Sequence, residues 1–184
     1  CSNSPHRPGE SEGATLFFIE VPSGRVIRPA IGPPHTHSIS GHETWMGSSG
    51  ELILTLNVQQ DYDRGKGPVL GVRPDGTVRP ICPPYQANHI GMDALGRLFA
   101  ADSFDPDEIV VGCPRTGRTA VVGPARSRYV RRRDRPEYLT DHHPHPYVSA
   151  DLKWVIFNSD RNGVQQVYAA RLPDDLIGAL MAGG

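Results

Sequence analysis

The sequence is poor in cysteine, poor in aromatic residues and almost without net charge. Its three cysteines, Cys1, Cys82 and Cys113, are an odd number with no close pairing pattern and do not suggest a disulfide framework. Aromatic residues make up only 7% and apolar residues 38% of the 184 residues, both modest shares. The formal net charge of −1 gives no electrostatic ground for binding nucleic acid. No run is long and apolar enough to span a bilayer, so no membrane partner is expected. The chain opens on Cys rather than Met and lacks the basic-then-apolar order of a signal peptide.

Glycine (20) and proline (18), by contrast, are abundant, which suits many short strands joined by turns. A repeat runs through the chain. Segments beginning at His42, His89 and His143 each read as a short strand, a small or polar turn and an apolar strand. The turn residues Gly50 and Gly96 lie 46 positions apart, and Leu152 follows 56 later after a long basic stretch. This is the period of a propeller blade, about 40–50 residues. The second half of each unit recurs as well, at Thr15, Val69, Ile109 and Val164, as a strand entering a tight turn with a return strand. Four short antiparallel strands per unit follow.

The expected fold is therefore all-β, about three and a half four-stranded blades of a larger β-propeller. A blade remnant is expected over 1–31, blades over 40–82, 89–124 and 143–173, and a short tail with a turn of helix over 174–184. Cys1 matches the end of a second strand, so the chain is expected to start in mid-blade, as a piece of a larger propeller. That placement argues against Cys1 as a lipoprotein's lipid-bearing residue. The other possibility is a smaller propeller closed by a second copy of the chain, a homo-oligomer.

Eight histidines are more than such a fold needs. His42, His89 and His145 precede their turn residues by eight, seven and seven positions, and His143 precedes its own by nine. Each therefore falls at the start of the first strand of a blade, the strand that lines a propeller's channel. His143 and His145 are expected on one side of a strand, with Pro144 stiffening the pair. Neutral imidazoles are ligands for divalent metals. A set of His89, His143 and His145 leaves positions open for a substrate oxygen, as catalytic metal sites do. His35 and His37 fall near the same end, His6 reads as surface, and His142 stands beside the pair.

Arg126, Arg128, Arg131 and Arg132 belong to a run of six arginines over residues 126–135. The run leads into the His143 strand and suits an anionic substrate, since guanidinium pairs with carboxylate in a bidentate fashion. A solvated loop is the plainer reading. Trp45 reads as blade packing or as a sugar platform. Asp93, Asp102 and Asp160 read as blade-to-blade hydrogen-bonding groups.

The stretch Gly41-His-Glu-Thr-Trp, the His89 strand and His143-Pro-His-Pro with the strand pair after it resemble the oligogalacturonate lyases, seven-bladed propeller polysaccharide lyases. The last segment also resembles TolB-type propeller repeats in general. The resemblance covers about residues 40–173. It implies a metal-dependent lyase of short galacturonides, normally cytoplasmic, with Mn²⁺ held by His89, His143 and His145 and with His42 as the catalytic base. The family's fourth ligand, a glutamine, falls on Thr140 here; a water or His142 would take its place. The family's substrate arginine has no clear counterpart, and Arg25 and Arg28 are the candidates for it. The alternative from another functional class is a non-catalytic TolB-type propeller that binds protein or sugar.

Overall fold

The computed structural model describes residues 15–32, 35–36, 39, 42–56, 69–83, 85, 87–104, 107–127 and 143–183. The described chain is nearly all β. A hairpin of β1 (Phe18–Ile19) and β2 (Val26–Ile27) comes first. A four-stranded antiparallel sheet follows, built from β3 (Thr44–Trp45), β4 (Leu52–Thr55), β5 (Val69–Val72) and β6 (Val78–Pro80) in sequence order. Pro80 has no N–H to give a ladder and sits on the edge strand, where none is required.

A second four-stranded sheet repeats the plan with β7 (Ile90–Met92), β8 (Phe99–Phe104), β9 (Asp107–Gly112) and β10 (Thr119–Gly123). A third contains β11 (Tyr147–Val148), β12 (Trp154–Ser159) and β13 (Gln166–Arg171). Helix α1 (Asp174–Met181) ends the described chain. No described helix is long and apolar enough to cross a membrane.

The turns repeat in conformation as well as in spacing. Gly50, Gly96 and Leu152 all have positive φ, at 70°, 73° and 63°. Glycine takes that conformation freely, whereas a leucine there costs about 1–2 kcal/mol. Burial of the Leu152 side chain, which is 7% exposed, offsets the cost.

The sheets pack face to face. Leu16, Ile31 and Ile39 meet Leu54 and Val72 of the first four-stranded sheet. The other face of that sheet, with Ile53 and Val69, meets Ile90, Phe99 and Ala101 of the second. The second meets the third through Leu98, Val111, Val155 and Phe157, and Leu180 of α1 closes the same core. Strand β7 lies beside both β3 and β11, so the first strands of successive sheets are neighbours. Two apolar layers thus lie between the three sheets.

Candidate metal centre

The proximity of β3, β7 and β11 brings together histidines far apart in sequence. His42 stands two residues before β3, His89 one before β7, and His143 and His145 shortly before β11. One potential ligand nitrogen from each of His42, His89 and His145 lies within 4.8 Å of the others. His89 is the centre of the group. Its ring centroid is 4.2 Å from that of His42, 3.9 Å from His145 and 4.7 Å from His143. His143 joins through His89, its Nδ1 lying 2.9 Å from His89 Nε2.

Hydrogen bonds hold two of the approach segments. Thr55 Oγ1 at the end of β4 donates to the Asn88 carbonyl at 2.7 Å, tying the first sheet to the His89 segment. The Asn158 backbone N–H donates to the Pro144 carbonyl at 2.8 Å, and its side-chain amide reaches the His143 carbonyl at 3.5 Å. These bonds come from β12 and fix the backbone between the paired histidines.

That backbone is not the strand expected from sequence. Pro144 and Pro146 offer no N–H to a ladder, and β11 begins only at Tyr147. His145 has φ 43°, so the rule that i and i+2 share a face does not govern the pair. The two rings nevertheless run nearly parallel, with planes 20° apart and centroids 5.7 Å apart.

His89 is 2% exposed and Asp102 is fully buried. The β7–β8 register pairs Ile90 with Ala101, which places Asp102 directly across from His89. The Asp102 carboxylate accepts the His89 backbone N–H at 2.7 Å, and the His89 Nδ1–H at 2.9 Å from Oδ2 and 3.0 Å from Oδ1. The role expected of Asp102, a bond between blades, is thus corrected: it bonds within one hairpin, beneath a clustered imidazole. The signal was the 13-residue spacing from His89, which becomes a cross-strand pair only once the hairpin register is known. Asp93 is likewise a turn residue, accepting from the backbone N–H groups of Leu95, Arg97 and Leu98.

Burial pushes the His145 imidazole pKa down to about 4, and the neighbouring His89 and His42 act in the same direction. His42 is lowered too, first by burial and then by His89. Both rings are therefore free bases at neutral pH. The donor set suits a divalent metal of the borderline class. Two nitrogens about 2.1 Å from one ion and at right angles lie about 3.0 Å apart. The 2.9 Å between His89 Nε2 and His143 Nδ1 fits that spacing.

Of the arginines singled out in sequence, Arg126 is exposed, with φ 52°, and its backbone N–H donates to Asp107 at 2.8 Å. It borders a cleft of ≈ 300 Å³ shared with Arg161 and Phe157. Arg128, Arg131, Arg132, Thr140, His142, His37 and His6 lie outside the described residues. Arg25 pairs with Glu20 inside the first hairpin at 3.3 Å, and Arg28 lies over the Phe17 ring. A larger cleft of ≈ 630 Å³ lies between Cys82, Thr119 and α1; it is apolar and includes none of the clustered histidines.

No protein-family model matches the sequence, and neither does any curated protein. The structure is similar to an oligogalacturonate lyase in complex with manganese, with a TM-score of 0.66 and 20% identity, over 93% of this chain and 44% of that one. It is similar to an oligogalacturonate lyase from Vibrio parahaemolyticus, with a TM-score of 0.61 and 17% identity, over 89% of this chain and 43% of that one. It is also similar to a putative TolB from Agrobacterium tumefaciens, with a TM-score of 0.58 and 13% identity, over 89% and 56%. The chain spans less than half the length of the two lyases. At these identities the likeness is one of fold: the chain has the architecture of part of a β-propeller, shared with oligogalacturonate lyases and with TolB.

Proposed function

We propose that this protein is a metal-dependent lyase that cleaves short galacturonides by β-elimination. The observation that carries the reading is the gathering of His42, His89 and His145 at one point, with His143 against His89, in a fold similar to that of a manganese-bound oligogalacturonate lyase. Blade packing gives no reason for such a cluster, because crowded imidazoles oppose one another's protonation. It is well suited to a cation.

His89, His143 and His145 would hold the ion, Mn²⁺ in the reading carried over from the similar lyase. When bound, such an ion draws charge from a substrate carboxylate as a Lewis acid, making the adjacent C–H acidic. His42 acts as the base. Its lowered pKa leaves a ring nitrogen free to take the proton α to the carboxylate. The C–H electron pair forms the new C=C bond, and the C–O pair leaves with the glycosidic oxygen, which takes a proton from water. Arg126, with Arg128, Arg131 and Arg132 in the same run, would bind a second carboxylate of the substrate.

The approach of His42 to His89 and His145 allows a second distribution of roles, with His42 a ligand and His143 the base. Similarity to TolB supports a non-catalytic binding propeller, but that reading leaves the cluster without a task. A cytoplasmic location also belongs to the proposal; Cys82 and Cys113 are both free thiols, as a reducing compartment requires.

The test is digalacturonate with Mn²⁺, followed by the absorbance of the conjugated enoate, with and without chelator. A rise that chelator abolishes and that His42→Ala removes while metal still binds supports lyase chemistry with His42 as base. Loss of metal in His42→Ala, and its retention in His143→Ala, assigns the reverse roles. No rise and no bound metal leave the binding propeller.

A further inference from the structure

A buried imidazole such as His89 must offer the correct nitrogen to the cluster. We infer that Asp102 is a positioning residue that fixes His89 as its Nδ1–H tautomer and so presents the Nε2 lone pair to the other histidines. This rests on the metal-site reading for its purpose, although not for its geometry.

A carboxylate only accepts hydrogen bonds, so the Nδ1 that lies 2.9 Å and 3.0 Å from the two Asp102 oxygens must carry the proton. In a neutral imidazole the other nitrogen is then a free base. That nitrogen, Nε2, faces His143 Nδ1 at 2.9 Å. The Asn88 side-chain amide lies 2.7 Å from Nδ1 and 3.1 Å from Nε2. An atom so close to both nitrogens would overlap the carbon between them if it lay in the ring plane. It therefore sits over the ring face and competes neither for the Nδ1–H nor for the Nε2 lone pair. The in-plane partners are Asp102 on one side and the histidine cluster on the other.

Asp102 is itself held. Oδ1 accepts the His89 backbone N–H at 2.7 Å, and the main chains of the two segments continue the ladder past β7, with Asn88 N–H donating to the Asp102 carbonyl at 2.8 Å. The carboxylate cannot rotate without abandoning a buried N–H. Its second oxygen is thus locked against the ring. Carboxylate-held histidines are the usual means of setting a ligand's tautomer, and loss of the carboxylate lowers metal affinity about 10–100-fold.

The same geometry says what the isosteric variant does. In Asp102→Asn the amide oxygen stays on the His89 backbone N–H, which needs an acceptor. The amide NH₂ then takes the place of Oδ2 and donates to Nδ1. His89 is driven to the Nε2–H tautomer, and its lone pair turns away from the cluster.

Ring ¹⁵N shifts of His89 in the metal-free protein read this directly. Expected are a protonated Nδ1 and an unprotonated Nε2 in the parent, exchanged in Asp102→Asn. A parent ring with the proton on Nε2, or a variant ring unchanged from the parent, overturns the inference. Should the variant not fold, the parent spectrum alone decides. Titration with Mn²⁺ is the second arm: where the parent binds, Asp102→Asn should bind at least 10-fold more weakly, and equal binding by an exchanged ring overturns the positioning role. A parent that shows the expected tautomer yet binds no Mn²⁺ upholds the inference about Asp102 and removes the lyase reading instead.

Discussion

Gly91 of β7 lies so close to Tyr147 of β11 that no side chain fits between the two strands. A Cβ at Gly91 would overlap the Pro146 carbonyl oxygen and lie 2.8 Å from the Tyr147 Cβ. The His143–Pro146 segment enters the site along this contact. Gly91→Ala should therefore push β11 outward, destabilising the protein by about 1–3 kcal/mol as overpacking does. It should also weaken metal binding. Urea denaturation and metal titration of the same variant check both effects; weakened metal binding with unchanged stability would point to a different contact.

The lowered pKa values of His145 and His42 set a pH dependence of stability for the metal-free protein. Unfolded, these rings bind protons near pH 6.5, whereas folded His145 does so only near pH 4. Between those values the unfolded chain holds more protons, so stability falls as pH falls, starting below about pH 6.5 and continuing to about pH 4. Thermal melts across this window should show the decline. In a His42→Gln, His145→Gln double variant the slope should flatten. Carboxylates with lowered pKa, such as Asp93, contribute a loss centred at lower pH and remain in the variant.

Asp93 anchors the turn between β7 and β8. Burial raises the cost of its charge, but bonds from the Leu98, Leu95 and Arg97 N–H groups outweigh it and hold the pKa low. Arg97 also pairs with it at 3.0 Å. Asp93→Ala strands three backbone donors and one partly buried cation, and should cost about 3 kcal/mol. Denaturant midpoints measure this. Because the turn is at the far end of β7 from His89, metal affinity in the folded fraction should stay within about twofold.

Helix α1 ends against the β9–β10 turn rather than in water. Thr116 Oγ1 donates to the Leu180 carbonyl at 2.7 Å and Arg118 to the Ala179 carbonyl at 2.7 Å, while Arg115 reaches the Met181 carbonyl. These side chains satisfy carbonyls that a helix end leaves open. Thr116→Val should loosen α1 by about 1 kcal/mol, seen as faster amide exchange in the helix with little change in β12. Equal acceleration in both would mean that helix and sheet unfold as one unit.

Much of this was legible in the sequence. The turn residues Gly50, Gly96 and Leu152 mark one recurring left-handed position, and the histidines can be placed by counting back from them. Counting works because a strand advances by a fixed amount per residue. It fails in two places. His145 lies between two prolines, where no ladder imposes a strand, so its conformation comes from Asn158 holding the Pro144 carbonyl across the sheet. Asp102 has no mark of its own among the aspartates. Its meaning comes from the hairpin register opposite His89, a property of two strands rather than one.

The clustered imidazoles come from segments leading into three different sheets, His143 and His145 sharing one, and none of the sheets contains a binding site alone. The nitrogen-to-nitrogen spacing is therefore a gauge of how far the sheets are fanned. A shift in any one of the apolar layers between them would be felt first at the histidines. An ion held by His89, His143 and His145 would act as a pin between the second and third sheets: it stabilises only their correctly fanned arrangement, so its binding energy adds to the folding of both together. Ion binding at the histidines and the packing of the sheets would then be two readings of one equilibrium.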